Sequence, residues 1–254
     1  MARAIILGSS AALSDAEHDY THFLLTGENG RAPILVDCGS NPMPKFPIFN
    51  VDHNDIEDVI VTHFHADHAS GFPNMLTEMW LLRRSAPLRV YGLDHCVSRL
   101  EDTMLGFAWD TMPVRFQVDY LRVADADNVP VMENSDFRIM AWQTKHFIPT
   151  IGLRIENKVT GKVLAYSCDT EPIPGIIELA RNADVLIHEA AGATPGHSSA
   201  RAAGEIAKAA GAKALFLIHY LPPQYSDITH LVPDAESVFD GFVTLCEDYD
   251  VIEF

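Results

Sequence analysis

The stretch VIVTHFHADH, residues 59–68, decides which fold and which chemistry to expect of this chain. Its β-branched start predicts a strand, and the strand runs directly into three histidines and a carboxylate. His63 and His65 point the same way, because side chains alternate along an extended segment. Asp67 and His68 fall at the start of the next helix, where they can face a second ion. Since imidazole and carboxylate suit zinc and tolerate manganese or iron, the stretch predicts a metal site.

Three residues farther along the chain extend this candidate site. His146, Asp169 and His219 follow the strand-like runs 137–145, 163–167 and 214–218. In open α/β sheets, sites assemble at the carboxyl ends of strands. The sequence therefore predicts that these three side chains meet the four from residues 63–68.

Strand-like and helical patterns are mixed along the chain, which predicts an α/β layered fold. The strand-like runs are residues 4–7, 21–25, 33–36, 59–61, 88–91, 137–142, 151–156, 163–166, 185–188 and 214–218. The helical patterns are residues 72–84, 93–104, 173–181, 198–210 and 234–247. In the fourth of these, Ser198 can cap the start and Gly211 can end the helix.

No linker or repeat divides the chain, so we predict a single domain over residues 1–254. Segments 41–50 and 107–127 read as surface insertions, where a scaffold usually carries its specificity.

Composition narrows the classes of partner and compartment. Lys and Arg number 18 against 35 Asp and Glu, a formal charge of −17, so a long nucleic acid is a poor partner and a small-molecule substrate is favoured. The four cysteines lack the spacing of a disulfide framework or a thiolate zinc site, which favours the reducing cytoplasm. The apolar run at the N-terminus is short for a signal peptide, and no run reaches the roughly 20 apolar residues of a membrane span. A homodimer stays open.

The pattern H-x-H-x-D-H at residues 63–68 resembles the signature of the metallo-β-lactamase superfamily. The resemblance extends over most of the chain and implies a four-layer αββα sandwich. It also implies two metal sites bridged by Asp169. The first would be held by His63, His65 and His146, and the second by Asp67, His68 and His219.

Within that superfamily the chain resembles the ribonuclease Z-like branch. Residues 146–155 look like its third-histidine stretch, and CDTEP at 168–172 is similar to its G-D-T-R-P. HEA at 188–190 resembles its H-E-A-T motif, and GHSSA at 196–200 resembles its H-S-T loop. However, only about two dozen residues separate His146 from Asp169, which leaves no room for the arm of the tRNA-processing members. Together with Glu171 in place of arginine, this argues against tRNA processing.

The predicted chemistry is hydrolysis by a hydroxide that bridges two metal ions about 3.5–4 Å apart. Asp67 can orient the hydroxide as well as bind a metal ion. The leaving group needs a proton, and His197 can supply it if Glu189 fixes its tautomer, as the resemblance implies. Otherwise His197 merely caps the helix that follows.

Several other residues have simpler explanations. His188 is predicted to be structural, because neighbours on a strand face opposite sides, and Cys168 is predicted to be a buried structural cysteine. Among the remaining histidines, His18 and His22 are candidates for the mouth of the site. Met104, Phe107 and Trp109 are predicted to pack in the core or a lid. If these three line the pocket, they favour an apolar or aromatic leaving group over a polyanion.

Four functions remain open at this point. The leading one is hydrolysis of a small phosphodiester or related ester, and the second is hydrolysis of a lactone, carboxylic ester or amide by the same hydroxide. A metal-binding scaffold or a single structural ion is less favoured, because closed structural zinc sites usually use thiolates. Diiron redox chemistry is disfavoured because redox members usually have Glu at the position of His65.

Overall fold

The computed structural model describes residues 1–28 and 32–254. In that part of the chain the strands are β1 (Arg3–Gly8), β2 (His22–Thr26), β3 (Ile34–Val36), β4 (Asp58–Ile60), β5 (Leu88–Leu93), β6 (Val118–Val123), β7 (Val129–Glu133), β8 (Phe137–Gln143), β9 (Ile151–Asn157), β10 (Val163–Tyr166), β11 (Val185–Glu189), β12 (Ala214–Ile218), β13 (Phe242–Leu245) and β14 (Val251–Glu253). The helices are α1 (Ala66–Ala69), α2 (Phe72–Leu81), α3 (Asp94–Gly106), α4 (Pro174–Leu179), α5 (Ala200–Ala210) and α6 (Leu231–Glu236). Short 3-10 helices lie at Phe46–Phe49 and Trp109–Thr111.

The strands form two sheets, with the orders β14-β1-β2-β3-β4-β5-β6 and β13-β12-β11-β10-β9-β8-β7. The inner faces pack on each other, as shown by the edge-to-face contact of Phe23 from β2 with Tyr166 from β10, 5.1 Å between ring centroids. Helices α2 and α3 cover the outer face of the first sheet, and α4, α5 and α6 cover that of the second. The predicted four-layer αββα sandwich is therefore confirmed.

Strand β1 shows how the sequence builds these layers. Ala4 and Ile6 lie in the core between the sheets, whereas Ile5 and Leu7 lie in the core beneath α2 and α3. Because side chains alternate and both faces are buried, the strand reads as one continuous apolar run. Burial of both faces also explains why the strand-like runs of the sequence are easy to recognise.

The direction of the strands gathers the candidate residues at one edge of the sandwich. Strands β3, β4, β5 and β6 are parallel, and so are β10, β11, β12 and β13. Across the sandwich at this edge, the backbone N–H of Ile151 donates to the carbonyl of Thr62. The N–H of His219 donates to the carbonyl of Ser9 in the same way. The two sheets therefore hold the strand ends that carry the site against each other.

The predicted helix over 234–247 is wrong. Helix α6 ends at Glu236, and β13 follows it as a parallel neighbour of β12, with Leu215 opposite Val243. Gly241 lies against the ring of Phe239, so the chain turns there, and the sequence FVTL after it has the β-branched and aromatic residues of a strand.

The two predicted surface insertions are also partly wrong. Met43 and Phe46 of segment 41–50 are buried in the core beneath α2. Segment 107–127 contains a 3-10 helix and all of β6, and Trp109 and Phe116 pack in the same core. Both segments are anchored parts of the outer layer because their aromatic and sulfur-containing side chains turn inward.

The N-cap of helix α5 lies one residue later than predicted. Ser199 is the N-cap, and its hydroxyl accepts a hydrogen bond from the N–H of Ala202. Ser198 instead donates its hydroxyl hydrogen to the carbonyl of Thr170, 2.7 Å away. Gly211 ends the helix at φ 68°, a left-handed conformation that favours glycine, as predicted.

In the described residues, no helix combines the length and the apolar character that crossing a membrane requires.

Candidate metal centre and catalytic dyad

Three histidines form the first group of the candidate centre. His63 and His65 follow β4, and His146 lies in the loop after β8. The Nδ1 atom of His65 lies 3.0 Å from Nε2 of His63 and 3.0 Å from Nε2 of His146. The structure therefore brings together the three side chains that the resemblance assigns to one ion.

Asp67, His68 and His219 form the second group. The first two lie on α1 and the third follows β12. Nε2 of His219 lies 3.2 Å from Nε2 of His68 and 3.3 Å from Oδ2 of Asp67. All three side chains are buried or nearly so, and their ligand atoms lie within 4.8 Å of one another.

Asp169 lies between the two groups and turns one carboxylate oxygen to each. Its Oδ2 is 3.8 Å from Nε2 of His63 and 3.6 Å from Nε2 of His146. Its Oδ1 is 3.4 Å from Nε2 of both His68 and His219. This is the geometry that a carboxylate needs in order to bridge two ions, because its two oxygens can serve one ion each.

The hydrogen bonds around the groups leave ring nitrogens free to bind metal. Nδ1 of His68 donates to the carboxylate of Asp37, 3.0 Å away, and Nδ1 of His146 donates to the carbonyl of Gly196, 2.8 Å away. A histidine that donates from Nδ1 presents the lone pair of Nε2, which here faces the cluster. The donor set of imidazoles and carboxylates therefore fits divalent ions such as zinc.

Packing so many titratable groups together shifts their pKa values. Burial raises the pKa of Asp169, but the charges of His219 and His68 outweigh this and hold it well below its usual range. Burial lowers the pKa of His63 well below its ordinary value, with His68 adding to the effect. Asp169 is thus a carboxylate and His63 a neutral imidazole, the forms in which these groups can bind a metal ion.

Asp37 belongs to this site and was missed by the sequence analysis. It follows β3 and is fully buried, where it accepts hydrogen bonds from the N–H and the hydroxyl of Thr62 as well as from His68. It thus fixes the ring of one candidate ligand and the backbone beside another. The sequence offered one signal, because Asp37 directly follows the strand at residues 34–36. The same rule, a polar residue at the carboxyl end of a strand, selected Asp169.

Three non-glycine residues next to the cluster have left-handed backbones. Asp37, Cys168 and His219 have φ values of 60°, 52° and 54°. Such conformations cost of order 1–3 kcal/mol each and persist where the surrounding structure enforces them. Each of the three residues directly follows a strand or lies within two residues of one, so the strain serves to turn side chains into the site.

Glu189 and His197 form the predicted pair at the rim of the cluster. Nδ1 of His197 donates to Oε1 of Glu189 at 3.1 Å, and the same oxygen accepts the N–H of Thr170 at 2.8 Å. Burial lowers the pKa of His197, but the hydrogen bond and charge of Glu189 outweigh this and raise it. The His197 ring stacks on that of His219, 5.8 Å between centroids, so the pair stands beside the candidate metal ligands.

Glu171 ties together the loops that carry His146 and His197. Its carboxylate lies 2.6 Å from Nζ of Lys145 and accepts the N–H of Gly196 at 3.2 Å. The carbonyl of Gly196 in turn accepts from His146. Glu171, which replaces the arginine of the ribonuclease Z-like motif, therefore contacts both the loop of His146 and the loop of His197.

The other histidines singled out in the sequence lie away from the cluster. His188 is buried on β11 and donates from Nδ1 to the carbonyl of Glu189, in agreement with a structural role. His18 pairs with Asp15, and His22 donates to the carbonyl of Tyr20. Neither is among the residues that line the cavity of about 480 Å³ over the cluster, so both are wrong as candidates for its mouth.

Cys168 is buried, as predicted, and its thiol contacts the hydroxyl of Thr62 at 3.1 Å. Burial raises its pKa well above the ordinary value, with Asp169 adding to the effect. Met104 and Trp109 are buried in the core, whereas Phe107 is 62% exposed and faces a separate cleft. Of the three apolar residues considered for the pocket, only Phe107 is available to a ligand.

The family model of the anti-Pycsar protein Apyc1 matches residues 2–243. Similar curated proteins include ribonuclease Z of Archaeoglobus fulgidus, 24% identical over 304 aligned positions with 97% of this chain and 96% of the relative covered. Ribonuclease BN of Cronobacter sakazakii is 26% identical, with 96% and 97% covered. The first alignment is longer than the chain of 254 residues, so that relative has insertions that this chain lacks.

Solved structures give the same fold. YhfI of Bacillus subtilis, a metallo-β-lactamase fold protein, superposes with a TM-score of 0.83 at 22% identity and covers 100% of this chain and 99% of that one. The short form of human tRNase Z gives 0.79 at 23% identity, with 99% and 98% covered. Between β9 and β10 the chain has only residues 158–162, which confirms that no arm is inserted there. The chain belongs to the family of the anti-Pycsar protein Apyc1, within the ribonuclease Z-like branch of the metallo-β-lactamase superfamily.

Proposed function

We propose that the protein is a hydrolase that uses two divalent metal ions, preferably zinc, to cleave a small phosphodiester. The observation that carries the proposal is the position of Asp169, which turns Oδ2 to the first group and Oδ1 to the second. Two bound ions would supply a hydroxide nucleophile near neutral pH and neutralise the charge of the phosphoryl group. Manganese or iron would suit the same donors.

Two residues of the protein would orient the attacking oxygen and protonate the leaving oxygen. Asp67 lies beside His219 and lines the cavity, so its carboxylate is placed to accept a hydrogen bond from the attacking oxygen. His197 also lines the cavity and is placed to donate a proton to the leaving oxygen. In the reaction, one P–O bond forms to the attacking oxygen, and the bond to the leaving group breaks with its electron pair.

The choice of a phosphodiester rests on the Glu189–His197 pair and on the relatives. The alcohol that leaves phosphorus has a high pKa, so the departing alkoxide needs a proton donor, which this pair provides. Ribonuclease Z is the name of similar curated proteins, and a diphosphatase of the PhnP family shares the fold with a TM-score of 0.74 at 18% identity. We propose a small substrate because the formal charge of −17 disfavours a long anionic polymer.

We also propose that the protein works in the cytoplasm. All four cysteines are free and buried, which fits a reducing compartment.

The test is metal content by elemental analysis together with hydrolysis of bis(p-nitrophenyl) phosphate and of a panel of lactones. We expect two metal ions per chain and phosphodiester turnover. In Asp169→Ala, both the metal content and the turnover should fall, the turnover by about 10²-fold or more, because the bridge and its charge are lost. Asp240→Ala is the control, since that side chain is 96% exposed and should change neither quantity.

The other outcomes decide between the remaining functions. Turnover of lactones alone, with two metal ions bound, would replace the phosphodiester by a carboxylic ester or lactone. One ion or none, with no hydrolysis, would overturn the proposal in favour of a metal-binding scaffold.

A further inference from the structure

Two different loops hold the two halves of the second ligand group. On one side, α1 carries Asp67 and His68, and it rests on the loop after β3. The N–H of Cys38 donates to the carbonyl of His68 at 2.8 Å, and the hydroxyl of Ser70 donates to the carbonyl of Gly39 at 2.8 Å. The position of α1, and with it that of two candidate ligands, therefore depends on this loop.

His219, the other half of the group, is held by the loop after β1. Its N–H donates to the carbonyl of Ser9 at 2.8 Å, and the N–H of Ala11 donates to the carbonyl of Tyr220 at 2.9 Å. These two bonds enclose a residue whose backbone is left-handed, with a φ of 54°. Such a conformation persists where the surrounding structure enforces it, so the loop after β1 helps to keep His219 turned into the site.

A carboxylate fastens each of these loops. Oδ1 of Asp248 accepts the N–H of Ser9 at 2.9 Å and the hydroxyl of Ser9 at 2.8 Å. Oδ2 of Asp19 accepts the hydroxyl of Ser40, in the loop after β3. The N–H of Asp19 in turn donates to Oδ2 of Asp248 at 3.0 Å. The two fastening residues are therefore in direct contact with each other.

Lys45 holds these two carboxylates together. Its Nζ lies 2.6 Å from Oδ2 of Asp19 and 3.7 Å from Oδ2 of Asp248, and it also donates to the carbonyl of Leu7. The side chain is only 12% exposed. Burial raises the pKa of Asp19, but the hydrogen bonds from Lys45 and Ser40 outweigh this and lower it. Without the ammonium group, the two carboxylates would repel each other and push the two loops apart.

We infer that Lys45 is a positioning residue for the second metal ion, because it ties together the two loops that hold the halves of that ligand group. The inference rests on the proposed two-metal function and gives segment 41–50 a part in it. The first group depends on other contacts, such as the bond from His146 to the carbonyl of Gly196. Loss of Lys45 should therefore weaken one ion and spare the other.

Chelator competition on the full chain tests this without turnover. The wild-type protein should bind two zinc ions. In Lys45→Met, one of the two affinities should fall about tenfold or more, as for other residues that support metal ligands, and the other should change by less than about twofold.

Arg89→Met is the matched control, because it also leaves a buried carboxylate, that of Asp58, without its cation. Asp58 lies at the start of β4, whereas the ligands follow the end of that strand. Both zinc affinities should therefore stay near those of wild type in this variant. Asp248→Asn is milder than Lys45→Met, because Lys45 keeps Asp19 as its partner. It should weaken the same ion by about fivefold, the effect of losing one hydrogen bond, and it decides the question if Lys45→Met does not fold.

Hydrogen exchange gives a readout that needs no metal. In the metal-free protein, the N–H of His219 should exchange faster in Lys45→Met than in wild type or Arg89→Met, because its acceptor on Ser9 moves away. Wild-type affinities for both ions in Lys45→Met and Asp248→Asn would overturn the inference and leave the proposed function standing. So would equal weakening of both ions, or the same loss in Arg89→Met. If the wild type bound one ion or none, the proposed function would fail and the inference with it.

Discussion

Two carboxylate–imidazole pairs stand within the same site and differ in what surrounds them. Nδ1 of His68 donates to Asp37 at 3.0 Å, and Nδ1 of His197 donates to Glu189 at 3.1 Å. The other side of the His68 ring meets His219 and Asp169, and the ring is fully buried. The His197 ring lines the cavity, and its side chain is 19% exposed.

The same pair of side chains can thus serve two purposes. A carboxylate that fixes Nδ1–H leaves Nε2 to do the work in both cases. Where Nε2 faces other ligands, it can bind a metal ion; where it faces the cavity, it can donate a proton to substrate. We therefore propose that Asp37 and His68 serve metal binding and that Glu189 and His197 serve proton transfer.

Replacing His197 should have the largest effect and should separate proton transfer from metal binding. In His197→Ala, we expect turnover of a phosphodiester with an alkyl leaving group to fall about 10²–10⁴-fold, because the leaving alkoxide loses its proton donor. Turnover of bis(p-nitrophenyl) phosphate should fall much less, since p-nitrophenolate needs no proton. The metal content should stay that of wild type. A loss of metal from this variant would make His197 a ligand and remove the distinction between the pairs.

The second effect tests the other pair. Asp37→Asn keeps the shape of the side chain but removes the charge behind His68, and we expect metal affinity to weaken about 10–100-fold. Competition with a chelator of known affinity measures this change. Glu189→Gln is the matched variant, and it should lower turnover while metal affinity stays near that of wild type. If both variants lost metal equally, the two pairs would have the same role.

Much of this site could be predicted from the sequence, and the reason is physical. Five of the seven candidate ligands follow β4 or β10, which are buried on both faces, and such strands give clear apolar runs. Strand β6 was missed because it lies at the edge of its sheet and alternates with exposed charged residues such as Arg122. Strand β13 is short and its neighbour in space, β12, is distant in the sequence.

Asp37 shows the limit of sequence reasoning more clearly. Its partners Thr62 and His68 lie 25 and 31 residues away, so no local spacing connects them. Clustered histidines are easy to recognise in a sequence, whereas one aspartate after a three-residue strand resembles any other turn residue. The cleft lined by Phe64, Leu100 and Phe107 was missed for the same reason, because α2, α3 and the loop after β4 meet only in the folded chain.

The buried imidazole of His188 differs from those of His68 and His197, because no carboxylate in residues 1–28 and 32–254 contacts its ring. Burial lowers its pKa to about 4, although the bond to the Glu189 carbonyl opposes this. For His68, the charges of Asp169 and Asp37 outweigh burial and raise the pKa, and for His197 the hydrogen bond and charge of Glu189 do the same. In the unfolded chain the pKa of His188 is about 6.5, so the neutral form stabilises the fold fully above that pH and this stability is lost as the pH falls toward 4. Lowering the pH from 7 to 5 should therefore reduce the free energy of unfolding by about 2 kcal/mol through His188.

Urea titrations at the two pH values measure this reduction. It should be smaller by that amount in His188→Leu and unchanged in His230→Gln, whose histidine is exposed. An equal pH dependence in wild type and His188→Leu would mean that a buried imidazole needs no carboxylate here to keep an ordinary pKa, and the contrast drawn between the three histidines would fail.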